Sequence, residues 1–157
     1  MSNAQTPLLD EGLYLFLTNP NGPLAGLLTD ANVFEDYVPP NSPMPCLMYQ
    51  QVSEVTDTTL DGPSGYVETR YQFNFYGQDK TTGTPGSGRV AANSLRNAVR
   101  LQFNGLTGTL PNGIQLWNVI KMNSIAPHFD TQAQTYQLIT DYKIIYCEFQ
   151  AGDTLPS

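Results

Sequence analysis

Three groups of residues have types and spacings that chemistry can use. The first is GTPGSGR, Gly83–Arg89, which follows the strand-like YQFNFYG and leads into the helix-like VAANSLRNAVRLQF. Read from Gly83 it has the outline of a phosphate loop, and read from Gly86 that of a dinucleotide fingerprint. A phosphate loop needs backbone N–H donors, a Lys for the terminal phosphates and a Ser or Thr for magnesium. Arg89 and Val90 stand at those last two positions, Pro85 removes a donor, and no acid lies between residues 80 and 129. The dinucleotide reading lacks the ribose-binding acid expected about 20 residues on. A small nucleotide-binding domain built on Gly83–Arg89 is therefore a poor alternative. A flexible strand-to-helix connection, with Ser87 as the helix N-cap, is the expectation.

The second group is Ser124, His128 and Asp130. A hydrolytic triad would need a sharply exposed nucleophile, and nothing around Ser124 resembles such a turn. The third is Cys46, Cys147 and the single histidine, His128. With no C-x-x-C pair and one histidine, zinc has almost no ligands to draw on, and both cysteines read as buried thiols. Glu35-Asp36 has no partner at a defined spacing and reads as solvated. No catalytic, cofactor-binding or metal-binding residue is assigned, and the chain is not expected to be an enzyme.

Arg89, Arg96 and Arg100 fall on one helical face at i, i+7 and i+11. They belong to an uneven distribution of charge. Residues 1–79 carry ten acids and one base, Arg70, whereas residues 80–129 carry five bases and no acid. With a net charge of −7 and so few cations, tight duplex binding is not expected, since that takes about six or more phosphate contacts. Segregated charge instead suits copies of one chain packed side by side, unlike surface to unlike surface. The three arginines, with Trp117, are the candidate subunit interface.

The elements that must position these residues follow from the hydrophobic pattern. Thr6-Pro7 should open a helix carrying Leu9, Leu13, Phe16 and Leu17, which ends by Asn19-Pro20. PPNSPMP makes a stiff connector, and Cys46–Val55 reads as a strand. The polar run TDTTLDGPSG, Thr56–Gly65, reads as a loop; Thr59, Leu60 and Asp61 in it, with Gly83, Gly86 and Gly88, are candidate assembly-loop residues. Val67, Thr69, Tyr71, Phe73 and Phe75 alternate with Glu68, Arg70, Gln72 and Asn74, the pattern of a half-buried antiparallel strand. Residues 88–103 form an amphipathic helix with Ala91, Leu95, Ala98, Val99 and Gln102 or Phe103 on its apolar stripe. Ile114–Ile125 is a third strand, Ala126–Ala133 a loop, and Gln134–Phe149 a fourth strand.

The order α-β-β-α-β-β predicts an α+β fold, a four-stranded mainly antiparallel sheet with two helices on one face. The chain should form a single domain over 1–157, with a core at about 7–149 and a flexible tail at 150–157. Its longest uncharged run, Leu101–Ile120, is broken by Asn, Gly, Thr and Pro, so no membrane segment is expected. Nothing marks the N-terminus for secretion. The second sheet face, where Trp117, Ile139, Ile145 and Phe149 could point, is too apolar for a free monomer.

Taken together, PCLMYQQVSEV, YVETRYQFNFYG, SGRVAANSLRNAVRLQF, IQLWNVIKM and TYQLITDYKIIY resemble the tail terminator, or tail completion, family of long-tailed bacteriophages. The resemblance covers about residues 7–147. It implies a structural virion protein without catalytic residues or cofactors, which forms a hexameric ring on the head-proximal end of the tail tube. Implied partners are further copies of the chain, the tail tube protein and the head or neck connector, with genomic DNA passing through the lumen. Implied locations are the virion tail or neck, and the host cytoplasm during assembly. A head-closure or other minor tail component is the alternative within the same class.

Overall fold

In a computed structural model the chain is described over residues 8–28, 32–59, 62–79, 86–132 and 134–147. The elements are α1 (Leu9–Thr18), β1 (Val33–Glu35), β2 (Cys46–Thr59), β3 (Gly62–Gln78), α2 (Ser87–Phe103), β4 (Gly108–Thr109), β5 (Gln115–Asp130) and β6 (Thr135–Cys147). The fold is α+β, as expected, but the sheet has six strands rather than four, in the order β1-β2-β3-β6-β5-β4. The four long strands are the expected ones. Two short strands extend them: β1 pairs parallel with β2, and β4 pairs antiparallel with β5. Neither carries enough residues to show a period in the sequence.

Two expected loops are strand instead. The polar run at Thr56–Gly65 continues the β2–β3 hairpin, with Thr58 opposite Pro63 and Thr59 opposite Gly62. Backbone pairing needs no apolar face, and β-branched Val and Thr favour the extended chain. Leu60 and Asp61 lie outside the described residues. The segment from Ala126 also continues β5 as far as Asp130, because a register shift between Ile125 and His128 falls where Pro127 cannot donate to the ladder.

Both helices pack on one sheet face, over a single core. Leu9, Leu13 and Leu17 of α1 and Ala92, Leu95, Val99 and Phe103 of α2 bury against Tyr49, Tyr71, Phe73, Phe75, Leu138, Tyr142 and Ile144. The stripe of α2 thus runs through Ala92 rather than Ala91, a spacing of three and four that keeps the side chains on one face. Phe73 meets Phe103 and Tyr142 edge-on, with ring centroids 5.4 and 5.3 Å away, an arrangement aromatic quadrupoles favour. Thr6 and Pro7 lie outside the described residues. The helix they were expected to open begins at Leu9, with Leu8 in the cap position making no side-chain cap.

Candidate functional site

The sheet order separates the charges that the sequence separates. At the β1 edge, Asp10 and Glu11 occupy the first turn of α1, and Glu35 and Asp36 end β1. Burial raises the Glu35 carboxyl to about 7, helped by a hydrogen bond with Asp10 and by the negative charges of Asp10, Asp36 and Glu11. Beneath this cluster the Tyr71 hydroxyl donates to Asp10 Oδ1 and the Tyr49 hydroxyl to the Asp10 carbonyl oxygen. Glu35 is therefore not a merely solvated acid. Tertiary packing brings it to Asp10, 25 residues earlier in the chain, which no local spacing could show.

Towards the β5 edge, α2 presents Arg89 and Arg100 exposed and Arg96 half-buried. Lys121 pairs in register with Tyr142, so the two side chains leave the sheet on the same, helix-covered face. Among the described residues the ion pairs are Arg70–Asp141 at 2.9 Å and Lys143–Glu68 at 2.6 Å. Neither involves α2 or Lys121. On the opposite sheet face, β5 exposes Trp117, Ile120 and Ile125, with Trp117 51% exposed and set edge-on to Tyr66 at a centroid distance of 4.7 Å.

Both sheet edges are thinly covered. β1 pairs with β2 only from Leu47 to Tyr49, and β4 pairs with β5 only at Gln115 and Leu116. Beyond Lys121, whose N–H donates to Asn104 Oδ1, β5 has no strand outside it. Beyond Tyr49 the same holds for β2.

The glycine loop resolves differently from its motif. Gly83 lies outside the described residues. At its end Gly86, not Ser87, is the α2 cap residue, with φ of 87°, and Asp79 supplies the capping acceptor from the end of β3. The Asp79 carboxylate accepts from the Gly88 N–H at 2.8 Å and from the Gly86 N–H at 3.3 Å. A carboxylate of the chain itself thus occupies the donors a phosphate would need. Gly88 is glycine for packing: a Cβ there would stand 2.8 Å from the Asp79 nitrogen, and one on Gly77 only 1.9 Å from the Gly88 oxygen. Ser124 and His128 share no site either. Ser124 pairs with Thr140 on the helix-covered face, while His128 pairs with Gln137 on the other. Cys46 and Cys147 are free, and burial lifts the Cys46 thiol to about 11. No helix among the described residues is long and apolar enough to cross a membrane.

Sequence reasoning missed Asp79 as the cap and Tyr142 as a buried polar group. The first could have been found from an acid closing a strand just before a glycine-rich helix start. The second could not, because Tyr142 reads as one more apolar strand position.

The fold matches that of a solved chain from the virion of a native gene transfer agent particle, at a TM-score of 0.60 and 17% identity, covering 93% of this chain and 99% of that one. A second solved chain aligns at a TM-score of 0.49 and 11% identity, over 96% of this chain and 100% of its own. No curated protein sequence matches. The family model for tail completion protein gp17 matches residues 20–147, and the chain accordingly belongs to that family of structural proteins of the phage tail.

Proposed function

We propose that this chain is a ring-forming tail terminator, which caps the head-proximal end of the tail tube and joins the tail to the head or neck connector. The observation that carries the reading is the pair of sheet edges. One is acidic around α1 and β1, the other basic on α2 and apolar on β5, and both leave backbone uncovered. Unlike edges of one molecule form a heterologous contact, and heterologous contacts close into rings when the rotation allows. A hexamer is the expected closure. Trp117, Ile120 and Ile125 supply most of the association energy through apolar burial, while Arg89, Arg96 and Arg100 orient the neighbour.

Other surfaces are left for the tube and the connector. The β2–β3 hairpin, including Thr59, and the segment holding Gly83 project from the sheet ends and are assigned to these axial contacts, together with Leu60 and Asp61. Gly86 and Gly88 serve the helix start instead. DNA passes through the lumen without sequence-specific binding, and the finished ring resides in the virion after assembly in the host cytoplasm.

Negative-stain imaging of the purified chain, alone and added to tails made without it, tests this. Rings with an open centre at one tail end, and recovery of head joining, are expected. Tails of normal length that join heads without the chain would exclude a terminator.

A further inference from the structure

The Tyr142 side chain is fully buried, and its hydroxyl has no hydrogen-bond partner. Such a group costs stability unless a partner arrives in another state of the protein. Its surroundings say what that partner is. Burial pushes the phenol up to about 12, while Arg100 and Arg96 are near enough to pull it back down. Lys121 leaves the sheet beside it in register. Among the described residues none of these three cations has a carboxylate partner. An O–H donor beside two guanidinium groups is a site for an acceptor that carries negative charge in a planar fork.

We propose that Tyr142, Arg96 and Arg100 form a socket for a carboxylate of a second copy of this chain, supplied by Glu11 or Glu35 at its α1–β1 edge. The inference rests on the ring reading above and names the contact that closes each interface. A second copy is favoured by charge complementarity. The acidic edge lies at the far side of the same sheet, so one copy cannot fill its own socket, and a chain of net charge −7 repels an independent polyanion. The surface at the acidic edge fits an incoming arginine: Glu11, Tyr14, Leu15 and Glu35 line a cavity of about 530 Å³. Carboxylate and aromatic ring together are what a guanidinium group binds. Guanidinium and carboxylate are thus exchanged across the contact, with the phenol satisfied only when it forms.

Two sets of variants test the socket in the full chain, by sedimentation velocity across protein concentrations. Tyr142→Phe removes only the hydroxyl. It should leave the melting temperature of the isolated chain unchanged or higher, yet raise the concentration for half-assembly about tenfold, the weight of one hydrogen bond to a charged group. Arg96→Glu with Arg100→Glu, and separately Glu11→Lys with Glu35→Lys, should each abolish assembly, and an equimolar mixture of the two variants should restore it. If the wild type assembles but Tyr142→Phe assembles equally well, or the mixture fails, the socket is wrong and the ring reading stands. A wild type that never assembles, alone or on tails, overturns both. If the arginine reversal leaves assembly intact and instead abolishes retention of duplex DNA, the occupant is phosphate and the proposal fails.

Discussion

Asp79 shows how a single carboxylate redefines a motif. It ends β3, accepts from two N–H groups at the start of α2, and so caps a helix that has no acid of its own in the first turn. Asp79→Ala should cost about 1 kcal/mol of stability, the usual weight of a lost cap, measured by urea unfolding. Gly88→Ala should cost more than Gly86→Ala, although Gly86 is the residue at positive φ. The added methyl at Gly88 meets backbone atoms, whereas the space around Gly86 is open. At the acidic edge, Glu35 holds its proton more tightly in the folded chain than in the unfolded one, because burial and the charges of Asp10, Asp36 and Glu11 oppose ionisation. This group therefore favours the folded state fully below its ordinary pKa of 4.5, and the advantage fades as pH rises through about 7. Glu35→Gln should flatten that part of the stability profile, raising the melting temperature at pH 8 relative to pH 5.

At the scale of elements, α2 joins the core to the surface. Its buried stripe ends at Phe103, which lies between Phe73, Tyr142 and Phe16 of α1. Phe103→Ala should cost about 3–5 kcal/mol by opening a cavity where three elements meet, while Leu101→Ala, at a position 77% exposed, should stay within about 0.5 kcal/mol. Strand β5 has a different role. Register shifts between Leu116 and Asn118, Lys121 and Asn123, and Ile125 and His128 break its ladder with β6. Bulges bend and twist a strand, and they discourage indiscriminate pairing along an uncovered edge. The edge that carries Trp117, Ile120 and Ile125 is thus shaped for one partner. Trp117→Ala should leave thermal unfolding of the isolated chain nearly unchanged, since the ring touches little beyond Tyr66, and should reduce assembly measured by light scattering.

Across the whole molecule, charge and apolar surface act on different quantities. Raising salt to about 1 M shortens the Debye length to about 3 Å and removes the attraction between unlike edges. Assembly should then slow, because steering is lost, while rings already formed lose only a modest fraction, because apolar burial remains. Size-exclusion profiles before and after a salt jump check this, and complete dissociation would assign the association energy to charge instead.

The sequence by itself determined the α+β class, the four long strands, both helices and the alternation that turns Tyr71, Phe73 and Phe75 towards the helices. These rest on local periodicity, which one chain segment expresses alone. It also determined the charge segregation, a property of composition along the chain. Only the tertiary structure decided what those charges mean. Strand order places Glu35 and Lys121 at opposite edges of one sheet, because β6 returns between β3 and β5. The strands β1 and β4, the continuation of the hairpin through Thr59, and the extension of β5 past Pro127 are held by backbone pairing across the sheet, which leaves no mark on local hydrophobic pattern. Tyr142 is the sharpest case. Its position on the core face was legible from alternation, but its unmatched hydroxyl between Arg96 and Arg100 exists only once helix and sheet have packed.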